Sequence, residues 1–177
     1  MPDIRRLDLE DLPAYRSHLE RHFAESGSGE PAFAPFSKSL PVDFQRWQGL
    51  CAVQLSLPLR SPNWRRTWCL WQDDCVVGHV ELNGPELPVS LHRAQLGVGL
   101  ERAHRSRGLG AILMQTAISW AKAQDEIDWL DLTVFAHSAP AIALYSKLGF
   151  QQVSLRQDRH RIDGQSVDEV MMVLGLE

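Results

Sequence analysis

His104-Arg105-Ser106-Arg107-Gly108-Leu109-Gly110, running straight into Ala111-Ile112-Leu113-Met114, marks the point where an apolar strand-like run ends and a helix-like run begins. A helix that starts this way leaves its first backbone N–H groups unpaired and pointing in one direction, and its dipole favours an anion there. Glycine at 108 and 110 removes the Cβ atoms that would hold a ligand off the backbone. Arg105 and Arg107 bring side chains able to make charge-assisted contacts. The stretch reads as a phosphate cradle, although two glycines would equally serve to start a helix tightly against a strand.

Working outward, the residues before the cradle alternate. Ala94, Leu96, Val98 and Leu100 share one face and Gln95, Gly97, Gly99 and Glu101 the other, which predicts a strand over Leu91 to Leu100. After the cradle, helical spacing continues to about Gln124, and Trp129 to Phe135 is a further strand. Ser138 and Pro140 open a helix that Gly149 terminates, and Val153 to Leu155 with Ser166 to Leu174 should close as a strand pair around Asp163-Gly164. Upstream, Thr67 to Trp71 and Cys75 to Leu82 flank an Asp73-Asp74 turn as a hairpin. Ile4 to Leu7 is a short strand. Leu12, Tyr15, Leu19 and Phe23 carry a helix to about Glu25, and a second helix is expected from about Pro41 to Leu55. With no repeat or linker, residues 1–177 are expected to form a single α/β (α+β) domain, a mixed sheet with helices on its faces.

The bulk numbers narrow the function. A chain of 177 residues with a formal charge of −4 lacks the concentrated basic surface that a nucleic-acid binder needs, so the cradle arginines look local to one ligand. The N-terminus has no signal-peptide apolar core and no run approaches a membrane span, so a cytoplasmic protein with no membrane partner is expected. Cys51, Cys69 and Cys75 have no C-x-x-C spacing and are read as buried free thiols. His18 and His22, four apart on a helix, lack a third partner for a metal and are read as a solvated face, so no metal is expected.

A dinucleotide fingerprint would need glycines directly after the first strand of a βαβ unit, whereas Gly97 and Gly99 lie within a strand and a third glycine is missing. G-x-x-x-x-G-K-[ST] does not occur. Arg105-x-x-Gly108-x-Gly110 after Leu96-Gly97-Val98-Gly99-Leu100 instead resembles the acyl-CoA-binding motif of the GNAT superfamily of N-acyltransferases. Leu132 to Phe150, ending Leu144-Tyr145-Ser146-Lys147-Leu148-Gly149-Phe150, resembles that superfamily's second signature. The resemblance runs from about Cys75 to the C-terminus and implies a mostly antiparallel sheet of six to seven strands with about four helices.

The resemblance also implies roles. The backbone N–H groups of Arg105, Ser106, Arg107, Gly108, Leu109 and Gly110 would hold the CoA pyrophosphate, and Val98, Gly99 and Leu100 would bond the pantetheine arm. Ser138 stands where the family often has an asparagine that contacts the cofactor. Tyr145 matches the tyrosine assigned as general acid, protonating the departing thiolate, although its stripe with Ala141, Leu144 and Leu148 also suits a core residue. The usual carboxylate bases are replaced by Ala94 and Thr133. Glu81, sharing a strand face with His79, is the tentative base, with His92, Glu101 or a water chain as alternatives.

These roles imply an N-acetyltransferase that moves an acetyl group from acetyl-CoA to a primary amine of a small molecule or peptide by direct attack in a ternary complex. The acceptor would lie over the N-terminal helices and the 26–40 loop, where Phe33, Phe36, Trp47 and Trp64 could line a pocket or simply fill the core. A monomer or homodimer is expected. The rival readings are a catalytically silent CoA-binding or sensing module and a nucleotide-binding regulatory domain.

Overall fold

The computed structural model describes residues 2–38 and 42–177. In chain order the strands are β1 (Asp3–Arg6), β2 (Arg65–Gln72), β3 (Cys75–Asn83), β4 (Arg93–Leu100), β5 (Trp129–Phe135), β6 (Gln151–Ile162) and β7 (Gln165–Gly175). The helices are α1 (Leu12–Glu25), α2 (Phe44–Ser56), α3 (Leu109–Lys122) and α4 (Ala139–Lys147). The expected start of the second helix at Pro41 lies outside the described residues, as do Ser39 and Leu40 of the preceding loop; α2 is capped by Asp43, whose side chain accepts from Arg46 N–H at 3.0 Å.

One mixed sheet takes all seven strands in the order β1-β2-β3-β4-β5-β7-β6. Every pairing is antiparallel except β4 with β5. Strand alternation sorts side chains to two faces. On one, α3 contributes Leu113, Met114, Ala117 and Ala121 to a core with Trp68, Val80, Leu82, Leu96, Leu130, Leu132 and Met172. On the other, α1 and α2 bring Leu12, Tyr15, Leu19 and Cys51 against Leu7, Cys69 and Val76. A bulge between Leu70 and Trp71, where β2 meets β3, changes the alternation, which is why Val76 faces α1 while Val80 and Leu82 face α3.

Three expectations are corrected. The strand expected over Val153 to Leu155 lies near the start of the twelve-residue β6, an edge strand with two irregularities that break its alternation. Cys75 is exposed, while Cys51 and Cys69 are buried free thiols. For Trp64, expected either to line a pocket or to fill the core, the structure gives the core: it is fully buried beside Trp120 and pressed on Gly84. His18 and His22 are buried at 0% and 6% exposure, not solvated. No helix of the described residues is long and apolar enough to cross a membrane.

Candidate active site

The single parallel ladder decides the geometry. It pairs Arg93 with Trp129, Ala94 with Leu130 and Gln95 with Asp131, and then stops, although β4 continues to Leu100 and β5 to Phe135. The two strands therefore splay apart. Arg93 and Asp131 close the paired end with two hydrogen bonds, one of them Nε to Oδ2 at 2.8 Å.

Along the open edge, backbone groups face the gap in alternation. Glu101 N–H donates to Val77 O at 3.1 Å, which places residue 101, and by the antiparallel two-residue repeat residues 99 and 97, in hydrogen-bonded pairs with β3. The N–H and C=O of Val98 then point into the splay. Leu100 points there too, but its carbonyl already accepts from Arg105 Nε at 2.9 Å. Gly99 thus gives its backbone to β3 and offers the splay only its missing Cβ.

The cradle sits at the mouth of this gap. Ser106 and Gly108 have φ of 59° and 76°, so the chain folds into a left-handed nest before α3 begins at Leu109. Among the described residues, no hydrogen bond engages the N–H groups of Ser106, Arg107, Gly108, Leu109, Gly110 or Ala111, whereas Arg105 N–H is taken by Arg102 O at 3.2 Å. The cradle is shifted one residue along from the expectation.

Its two arginines part company. Arg107 is exposed at the nest. Arg105 turns away, donating to Glu30 at 2.9 and 3.0 Å and to Glu25 at 3.1 Å, with its guanidinium 4.8 Å from the Phe33 ring. Burial alone would raise the Glu30 carboxyl, but hydrogen bonds from Arg102 and Arg105 outweigh it and hold it below the usual range. Arg105 therefore fastens the α1–α2 loop to the cradle. That loop also packs Ala32 against Phe135, Ile162 and Val167, and Asp163 accepts from Ser37 Oγ at 2.5 Å and Lys38 N–H at 3.2 Å.

Tyr145 of α4 is brought to the cradle's side of the sheet, where a Cβ on Gly110 would meet the neighbouring Leu144 at 3.6 Å. It is 9% exposed, its ring lies edge-on to Phe150, and burial pushes its phenol up to about 12. Its hydroxyl carries no hydrogen bond to any described residue. Ser138 occupies the N-cap of α4 without a side-chain capping bond, so its hydroxyl is not committed to the helix.

Glu81 lies on the opposite face, over the splayed strand: its Oε1 would stand 3.4 Å from a Cβ on Gly97. Oε2 accepts from Arg65 at 2.6 Å and Tyr15 at 3.0 Å, and Oε1 from Asn83 at 3.1 Å. His92 is exposed at the paired end of β4, away from the splay.

The sequence did not announce the buried histidines. His18 and His22 of α1 stack at 5.6 Å between ring centres, and His79 of β3 lies 5.1 Å from His18. A Cβ on Gly99 would strike His79 Cε1 at 2.4 Å and His22 Nε2 at 2.8 Å, so glycine is what lets both rings reach the splayed strand. The available signal was the helical stripe of Tyr15, His18, Leu19 and His22. Among the described residues no set of three or more His, Cys, Asp or Glu side chains is arranged to hold a metal ion.

Comparison with known proteins agrees with this architecture. Residues 28–150 match the model of the Acetyltransferase (GNAT) family. The L-amino acid N-acetyltransferase AaaT of Escherichia coli strain K12 is 31% identical over 100 residues, 56% of this chain, and the match spans 62% of that relative's length. A GNAT-family acetyltransferase from Streptococcus pneumoniae superposes with a TM-score of 0.84 at 21% identity, covering 99% of each chain. The structure of yncA from Salmonella typhimurium, solved with its cofactor acetyl-CoA, superposes with a TM-score of 0.80 at 18% identity over 99% of this chain and 94% of that one. With its splayed β4–β5 pair, its cradle and its two signatures, the chain belongs to the GNAT acetyltransferase family.

Proposed function

We propose that the protein is a cytoplasmic acetyl-CoA-dependent N-acetyltransferase that acetylates the amine of a small acceptor, an L-amino acid before other classes. One observation carries the reading: an unbroken run of unpaired N–H groups from Ser106 to Ala111 stands at the open end of the splay. A pyrophosphate there would satisfy donors that otherwise have only water, with Arg107 adding charge. A pantetheine arm laid along the gap would bond Val98 as an added strand does, and Leu100 by its N–H. The Ser138 hydroxyl, not committed to capping α4, would add a further donor to the cofactor.

The acceptor reaches the thioester from the opposite face. Glu81, oriented by Arg65, Tyr15 and Asn83, holds the ammonium group beside Gly97. Once the amine is neutral, its nitrogen attacks the thioester carbonyl carbon, the C–N bond forms, the C–S bond breaks and the sulfur leaves as thiolate. The nitrogen, now cationic, gives up its second proton, which replaces the one Tyr145 supplies to the sulfur. Tyr145 meets that thiolate from the α4 side. A phenol held at about 12 supplies a strong hydrogen bond throughout the working pH range and gives up its proton only as the sulfur charge develops. The preference for an L-amino acid rests on the named activity of the Escherichia coli relative. The Arg65–Glu81 pair, largely buried but still reached by solvent at 13% and 19% side-chain exposure, presents one charge of each sign and suits a zwitterion.

Isothermal titration with acetyl-CoA, ATP and NAD, followed by turnover against a panel of L-amino acids, simple amines and peptides, tests the proposal. Micromolar acetyl-CoA binding with transfer to at least one amine is expected. Absence of binding sinks it. Binding without transfer to any acceptor would favour the silent CoA-binding module that Ala94 and Thr133, in place of the usual carboxylates, also suggest.

A further inference from the structure

Glu81 leaves a gap in the chemistry, because Arg65 and Tyr15 already occupy its Oε2 and an alkylammonium of pKa near 10.4 must lose a proton before it can attack. A second polar chain lies alongside. His18 Nδ1 is 2.8 Å from Glu101 Oε1, and His18 Nε2 is 2.9 Å from His79 Nδ1. These contacts set the tautomers. A carboxylate can only accept, so His18 donates from Nδ1. Its Nε2 is then a lone pair and accepts from His79 Nδ1–H. That leaves His79 Nε2 as an unprotonated acceptor, and among the described residues none bonds it.

We propose that His79, His18 and Glu101 form a proton relay that takes the acceptor's ammonium proton, directly or through one water, and delivers it to solvent. The proposal rests on the reading of the protein as an N-acetyltransferase. The proton arrives at His79 Nε2 as His79 Nδ1–H passes to His18 Nε2 and His18 Nδ1–H passes to Glu101, whose carboxylate releases it at the surface. No ring gains a lasting charge.

Position supports this at both ends. His79 pairs with Gly99 in the β3–β4 ladder, two residues along β3 from Glu81, and its ring lies against Gly99 at the splay. Glu101 immediately follows β4, keeps a side-chain exposure of 14%, and is joined by Arg21 at 2.9 Å, itself 47% exposed. The chain thus runs from the splay to water. The surrounding charges keep it neutral inside. From α1 the rings face Tyr15, Arg21, His22 and Glu25; from β2 Arg65 and Cys69; from β3 Glu81; and from the loop and cradle Glu30 and Arg105. Burial first, and the neighbouring histidines next, hold His79 well below 6.5, and burial also lowers His18 despite the opposing hydrogen bond to Glu101. Rings so held conduct a proton without storing it.

The test compares the unaltered protein with His79→Asn and Glu101→Gln. In H79N the side-chain amide keeps a donor for His18 Nε2 but removes Nε2; in E101Q the acceptor for His18 remains but the proton has no exit. Turnover of acetyl-CoA with the best L-amino acid acceptor is measured from pH 6.5 to 9.5, with acetyl-CoA affinity measured by titration calorimetry. At pH 7 each variant should lose about 100-fold in kcat/KM, the loss should shrink towards pH 9.5 as the amine deprotonates unaided, and donor affinity should stay unchanged. A loss that is the same at every pH, or no loss, overturns the relay and leaves the histidines as packing. Nitrogen NMR of the histidine side chains supplies a readout independent of turnover: both His18 and His79 should be Nδ1–H tautomers, and an Nε2–H form of either overturns the relay. Failure of the unaltered protein to acetylate any amine would instead sink the acetyltransferase reading.

Discussion

Single residues set the sharpest expectations. Tyr145 is buried and unbonded on the donor side, so Tyr145→Phe removes one hydroxyl and little packing. It should lower kcat by about 100-fold while acetyl-CoA affinity measured by calorimetry stays within a factor of two or so. Equal turnover would make Tyr145 a core residue, which is also what its helical stripe suggested. Gly99 is a different case. Ala at this position would drive a methyl into His79 and His22, both packed rings with no free end to swing away. Overpacking of this kind costs about 1–3 kcal/mol, so the denaturant midpoint of Gly99→Ala should fall with an unchanged slope. The sequence placed Gly99 beside the donor, but could not show that its backbone serves β3 or that two imidazoles fill the space its side chain lacks.

At the scale of elements, what was legible followed from periodicity. β5, α3 and the β2–β3 hairpin are strongly patterned, and the structure holds them within a few residues of expectation. β6 was legible only near its start, at Val153 to Leu155, because an edge strand with two irregularities loses the two-residue alternation that reveals a strand. The buried face of α1 was misjudged for another reason: histidine is read as solvated unless a partner is visible, and Glu101 and His79 lie 83 and 61 residues away in sequence. The α1–α2 loop shows the same blindness to distant partners, since Arg105, chosen as a phosphate ligand, spends its guanidinium on Glu25 and Glu30. The loop's other fastening is testable. Asp163→Ala removes two hydrogen bonds that hold Ser37 and Lys38 over the acceptor side. It should cost at most about 1–2 kcal/mol in stability but raise the acceptor KM several-fold, roughly 3- to 10-fold, leaving the donor KM unchanged in steady-state kinetics.

For the molecule as a whole, the buried histidines make stability depend on acid. His22 is held at about 3, against 6.5 for a free ring, chiefly by burial and then by His18 and Arg105. A folded-state value below the unfolded one means that the unfolded chain binds the extra proton first. The contribution is full above 6.5 and is lost as pH falls from 6.5 towards about 3, at about 1.4 kcal/mol per pH unit. His18 and His79 act in the same direction. Thermal melts at pH 7.5, 6.5 and 5.5 should show little change over the first step and a steep fall over the second. His22→Phe, which also removes the enclosed and unpartnered Nδ1, should flatten that fall. The short β4–β5 ladder has a mechanical meaning as well. Because the ladder between strands β1–β4 and strands β5–β7 is only three residue pairs long, extended at its closed end by His92 O accepting from Asp128 and Trp129 N–H, the sheet is two plates joined by a seam, riveted at Arg93–Asp131 and open beyond it. A donor lying in the opening would act as mortar. Amide exchange at Val98 and Leu100 should then be fast in the free protein and slow with acetyl-CoA, and a donor at 100 times its Kd should add about 2.7 kcal/mol to the stability of the joined plates.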